Sequence, residues 1–167
     1  MGFTYPTTRS TGYVMGASTW NADVVDNMRW LGNDAPSCKA AMSGVQSIPV
    51  GVTTSLSFDT EWWDTAGLHS VSVNPTRFTA PVTGRYQIQG MIRFPAANYN
   101  GFLEAYINDI ATNDRSGMAF SSSADYGISY LNEYEMSAGS FIQLAAWHNN
   151  GSALNLWGHC IVKWVGQ

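Results

Sequence analysis

Three histidines, His69, His148 and His159, are the side chains with ordinary acid–base chemistry near neutral pH. His69 lies in DTEWWDTAGLHSVSVN, residues 59–74, beside Asp59, Glu61 and Asp64. A base next to a carboxylate is half of a hydrolytic site; the other half is a nucleophile and an oxyanion site. No Gly-x-Ser-x-Gly elbow occurs, and Ser121-Ser122-Ser123 reads as a polar loop or strand. His69 is therefore expected to cap backbone groups in its loop. Asp109 with Asp114, and Asn149 with Asn150, offer oxygens for a hard cation, but without the spacing of a calcium loop. Cys38 and Cys160 stand 122 positions apart, which is neither a zinc spacing nor a redox pair. Buried free thiols are expected ahead of a disulfide. The chain reads as non-enzymatic, with no cofactor and no metal.

The aromatics carry more information. Tyr126, Tyr130 and Tyr134 fall on one side of an alternating segment, with an intrachain core as their plainest use. Phe141 and Trp147 face opposite to Ile142, Leu144 and Ala146 on another. Two apolar faces on one strand imply burial on both sides, hence a neighbouring subunit. Trp62-Trp63 in the long loop, and Tyr99-Asn100-Gly101 at a turn, pair aromatic faces with polar groups and suit sugar stacking. The reading in which the Trp pair plugs the end of the fold is preferred.

Strands must position these residues. RFTAPVTGRYQIQGMIRF, residues 77–94, has a turn at Pro81 and Gly84 and then a clean alternation. Tyr86, Ile88, Gly90, Ile92 and Phe94 share one face, the mark of a half-buried central strand. Further segments of the same kind are 38–43, 52–58, 101–109, 126–136, 141–147 and 154–165, with residues 44–51 as a connection or edge and Phe78 opening a short strand. Together they make about eight to ten short strands without interleaved helices, which predicts an all-β antiparallel sandwich or jelly roll. Residues 1–19 read as an extended arm. Trp20 to Gly32 is the helix, N-capped by Asn21 and stopped by Gly32, with Val24, Met28 and Leu31 on one apolar stripe and Trp20 and Trp30 near its edges. A helix this short is marginal alone and must dock. The expected organisation is an arm and helix over 1–35 and a β domain over 36–167.

Composition narrows the classes. Charged residues are 12% of the chain and hydrophobic residues 45%, with a net charge of −4. Low charge suits a sandwich or an oligomer, and the negative balance argues against nucleic acid. No apolar run approaches the ~20 residues of a membrane span, and Met1 to Ser10 has no apolar core of a signal peptide.

From Cys38 to Val165 the chain resembles the globular head domain of complement and short-chain collagens, which shares a trimeric jelly roll with tumour necrosis factor. The resemblance is carried by FTAPVTGRYQIQGMIRF, by Ser57-Phe58-Asp59 ahead of a long loop and Asn74-Pro75-Thr76-Arg77-Phe78, by MSAGSFIQLAAW (Met136 and Ser140 replacing the family's Leu and Asp), and by the closing LWGHCIVKWV. STWNADVVDNMRWLGNDAPSCKA is similar to the start of many tailed-bacteriophage virion proteins, with Asn27, Leu31, Pro36 and Cys38 in the matching positions and a shorter spacer after the Trp. The stretch from Glu61 to Tyr86 also looks like the phage-borne version.

The resemblance implies a homotrimer packed about a threefold axis, with Tyr126, Tyr130, Tyr134, Phe141 and Trp147 as candidate interface residues. It implies a virion structural protein on capsid or tail. Trp20, Val24, Met28 and Leu31 would form the anchor helix. Trp62, Trp63, Tyr99 and Asn100 would form a surface-binding loop facing a host glycan or protein. The other virion proteins are the expected partners, without membrane insertion. A secreted or cell-surface cytokine- or lectin-like binding module is the alternative, and a virion-borne hydrolase stands third.

Overall fold

The computed structural model describes residues 4–94, 99–120 and 126–166, and of residues 33, 34, 99, 118–120 and 126 the backbone alone. The chain divides into two compact units, Met1–Ala35 and Pro36–Gln167. In the first, residues 17–34 form one helix. Its α-helical turns at Ala17–Trp20 and Asp26–Arg29 alternate with wider π-type turns at Asn21–Val25 and Trp30–Asp34. The helix starts four residues before the expected Asn21 cap. Gly16 holds the cap position without a side-chain hydrogen bond, and Asn21 has helical dihedrals. It also runs through Gly32, ending where Ala35 adopts the extended ψ of 133° that a following proline enforces.

The second unit is a sandwich of two antiparallel sheets built from eleven strands among the described residues. In chain order these are β1 (Ser37–Ala41), β2 (Gln46–Ile48), β3 (Thr54–Ser55), β4 (Thr60–Asp64), β5 (Phe78–Thr79), β6 (Gly84–Phe94), β7 (Tyr99–Ile107), β8 (Ile110–Phe120), β9 (Tyr126–Met136), β10 (Phe141–His148) and β11 (Leu154–Gly166). One sheet runs β4-β1-β11-β6-β9, with β2 also paired to β11; the other runs β3-β10-β7-β8, with β5 also paired to β10. The fold is an all-β jelly roll.

The alternation in β6 is realised residue by residue. Tyr86, Ile88, Ile92 and Phe94 are at most 1% exposed and point between the sheets. Leu144 and Leu103 meet them from β10 and β7. Each fully buried side chain of this size stabilises the fold by about 1.5–3 kcal/mol. Gly90 completes the row for a steric reason: a Cβ there would lie 2.2 Å from Leu144 Cδ2. Cys38 and Cys160 are both buried and unpaired in this core.

The region 59–74, expected as a loop, contains strand β4. Asp64 organises the irregular chain after that strand: its carboxylate accepts the N–H groups of Ala66 and Leu68 at 3.0 Å and of His69 at 2.8 Å. One side chain thus satisfies three backbone donors and holds the segment without a ladder.

Candidate functional surface

The three histidines are engaged by partners within the fold. His69 is buried, its Nδ1 2.8 Å from Glu61 Oε1 and its Nε2 donating to the Pro75 carbonyl at 3.1 Å. The base–carboxylate pair raised by the sequence does form, but both ring nitrogens are occupied and neighbouring Ser70 Oγ accepts the N–H of Val73. His148 bridges Ile48 and Asn150 through its two nitrogens. His159 sits in a ring cluster, and burial, then the Lys39 charge, hold its pKa below the usual value. Asp109 pairs with Arg77, whereas Asp114 accepts from Tyr134, so these carboxylates do not converge. No group of three metal-ligating side chains occurs among the described residues. Burial, with the Asp64 and Glu61 charges, pushes the Cys38 thiol up to about 12, and burial raises Cys160 as well; neither is a nucleophile at neutral pH.

The tyrosine row divides. Tyr130 is 2% exposed and belongs to the core of its own subunit, so it is unavailable as an interface contact. Tyr134 is half-buried. Its hydroxyl donates to Asp114 Oδ2 at 3.0 Å, accepts from Asn132 Nδ2 at 3.1 Å and hydrogen-bonds the Tyr130 hydroxyl. The side chains of Tyr126 and Tyr99, and all of 121–123, lie outside the described residues.

On β10 the outward face is covered in part by its own chain. Arg77 lies 3.9 Å over the Phe141 ring, Thr76 accepts a hydrogen bond from Gln143, and Trp147 stacks on Phe102 at 5.1 Å. Arg115 adds to this cluster, 4.5 Å from the Phe102 centroid and 3.3 Å from the buried Glu104 carboxylate. The inference that an apolar outer face of β10 must meet another subunit therefore loses its force: segment 75–77 and the Phe102–Arg115 pair supply much of the burial.

Trp62 and Trp63 are on a strand, at the edge of the six-stranded sheet. Lys39 pairs with Trp63 and Ala40 with Glu61, leaving Trp62 as the extra residue of a β-bulge. The bulge explains how two consecutive residues reach one face. Lys39 Nζ is 3.6 Å from the Trp62 centroid and 5.7 Å from that of Trp63. Trp63 Nε1 donates to Ser37 Oγ at 3.1 Å, and Trp62 stacks on His159 at 6.2 Å. The rings remain 57% and 43% exposed, so the pair does not plug the sandwich. Asn100 belongs to the start of β7 on the other sheet, rather than to a turn, and exchanges backbone-directed hydrogen bonds with Asn149. It is not part of the Trp surface.

In the first unit Trp20, Met28 and Leu31 are 52%, 68% and 57% exposed, with Val24 half-buried. Asn27, a matching position of the phage-type pattern, is 5% exposed and has a structural role that the sequence did not indicate. Its side chain accepts the Thr4 N–H at 2.9 Å and donates to the Thr4 carbonyl at 2.6 Å, pairing with the arm as a strand would. Arg9 and Asp23 add an ion pair at 3.0 Å.

No family model matches the sequence, and no curated protein matches it. Solved structures match the fold. The globular domain of the zebrafish complement 1qA protein superposes with a TM-score of 0.62 at 11% identity, covering 79% of this chain and 98% of that one. Murine APRIL at pH 5.0 gives 0.54 at 14% identity over 77% of this chain and 98% of its own. The PRD1 vertex protein P5 gives 0.55 at 18% identity, covering 81% of this chain and all 100% of that one. The jelly roll is therefore of the complement-head and tumour-necrosis-factor kind.

Proposed function

We propose that this chain is a non-enzymatic virion structural protein of a tailed phage, a homotrimeric jelly-roll knob fixed to the capsid or tail through residues 1–35. The observation that carries this reading is the exposed stripe of Trp20, Met28 and Leu31 on the helix of the smaller unit. Exposed large apolar groups in a row are costly in water and mark a docking face. The likeness to a phage vertex protein supports a particle setting, while the likeness to murine APRIL leaves a cell-surface or secreted binding module as the rival. Within the trimer, the part-exposed Tyr134, Phe141 and Trp147, with Tyr126 at the other end of the strand that holds Tyr134, are the proposed contacts. The Trp62–Trp63 face is the proposed host-recognition surface, for a glycan.

Light scattering on the full chain and on residues 36–167 tests the assembly. Two trimers are expected, which leaves the helix free as the anchor. A monomer from the full chain refutes the trimer. A trimer from the full chain alone makes the helix the assembly device and removes the anchor role. Co-sedimentation of the full chain with phage particles is expected, and Met28→Glu with Leu31→Glu should abolish it.

A further inference from the structure

We infer that the outward face around Trp62 and Trp63 takes an anionic saccharide, a sugar ring bearing a carboxylate, in preference to its neutral counterpart. The inference rests on the proposed saccharide reading of the Trp pair and specifies its ligand class. Three observations carry it.

The first is shape. The bulge puts both indoles on one side of β4, and the partners of Trp62, Lys39 and His159, belong to the sheet beneath it. Trp62 packs on these partners yet stays 57% exposed, leaving indole surface on which the C–H face of a pyranose can stack.

The second is charge. Around the two rings, the residues that share their face on β1 and β11 are Ser37, Lys39, Ala41, His159, Ile161 and Lys163. None is a carboxylate. Lys39 and Lys163 are diagonal neighbours across the β1–β11 pairing, where Ser37 is opposite Lys163 and Lys39 opposite Ile161. Two like charges in that relation repel, and an anion between them relieves the repulsion. In a chain of net charge −4 this patch is positive.

The third is where the nearby acids go. Glu61 and Asp64 flank the Trp pair in sequence, but both pair with inward-facing residues of β1, Ala40 and Cys38. Glu61 is engaged by His69, and Asp64 by three backbone N–H groups. Neither competes with a bound carboxylate. The ammonium of Lys39 already lies over Trp62, so a second cation at that ring is disfavoured, while the ammonium itself is available to pair with a carboxylate at the ring's edge.

The test uses the full chain, tryptophan fluorescence, and two probes of the same shape: α-1,4-trigalacturonate and its fully methyl-esterified form. The acid is expected to bind at least about tenfold more tightly than the ester, the scale of one charge-assisted hydrogen bond. Lys39→Met or Lys163→Met should bring the acid toward the ester's affinity, and Trp62→Ala should remove binding of both. Equal binding of acid and ester overturns the anionic preference and leaves the saccharide platform standing. Acid binding that survives Trp62→Ala is charge attraction alone and overturns the site. No binding of either probe overturns both readings. If light scattering then shows Trp62→Ala dissociating the oligomer, the face is a contact between copies. Circular dichroism of each variant confirms the fold.

Discussion

Gly90 and Leu144 offer a quantitative check on how the two sheets meet. Gly90 is in the inward row of β6, and an added Cβ would stand 2.2 Å from Leu144 Cδ2, with Cγ and Cδ1 at 3.6 and 3.7 Å. The clash is with one methyl group, but Leu144 is fully buried, so that methyl can move only against packed core neighbours. Gly90→Ala should therefore cost about 1–3 kcal/mol, as overpacked cores do. Leu144→Ala should cost about 2–5 kcal/mol through lost burial and the cavity left behind. In the double variant the new methyl enters the vacated space, so the overpacking term vanishes. The double variant should be less destabilised than the sum of the singles by about 1–3 kcal/mol. Urea denaturation gives all three values. Additivity to within about 0.5 kcal/mol would refute the packing argument. Gly158→Ala is the contrast: its Cβ would meet the main-chain oxygen of Met91 at 2.5 Å, so trimming a side chain should not rescue it.

The thiols of Cys38 and Cys160, both buried and raised, should resist a disulfide reagent at pH 8 in the native protein and react fully in denaturant; rapid native labelling would contradict their burial. Asp59 is held below the usual carboxyl pKa mainly by the Ser43 hydroxyl and then by its N–H, each at 2.6 Å. Its contribution is present above the unfolded value of about 3.9 and is lost as pH falls through the folded value, so Ser43→Ala should raise the Asp59 titration seen by NMR and flatten that acid limb slightly. Asn27→Ala removes two hydrogen bonds to Thr4 and one to the Asp23 carbonyl, so protease cleavage within residues 4–10 should accelerate while the melting of 36–167 stays unchanged.

Legibility tracks periodicity. β6 can be read from its letters because one face is core and the other is not, and a period of two survives only under that asymmetry. Along Gly84–Phe94 every even-numbered residue is buried and every odd-numbered one is exposed or half-buried. β4 cannot, because a bulge inserts a residue and breaks the period where Trp62 and Trp63 appear. Its neighbourhood reads as a loop for the same reason. The helix stripe is visible as spacing, whereas its start is not: Asn21 has the residue type of a cap, but a cap must lie outside the helix, and backbone hydrogen bonding begins at Ala17. The pairing of Asn27 with the arm is not legible, because its partner is main chain at Thr4, 23 residues away. Glu104 is placed by alternation on the outer face of β7, where acids are normally wet; the Phe102–Arg115 pair that buries it comes from side-chain geometry across strands, which spacing does not encode.

The hydroxyls between β8 and β9 bear on folding yield. Both strands terminate their sheets, and a free edge of eleven residues is a template on which a foreign strand can add. Here Ser116 Oγ donates to the Ser129 carbonyl at 2.6 Å, and Tyr134 reaches Asp114 and Thr112 across the same gap. These side-chain bonds tie the two edges to each other across the gap between the sheets. Removing them, as in Ser116→Ala with Tyr134→Phe, should show itself less in the melting temperature than in concentration-dependent association during refolding, because what they guard against is a second chain.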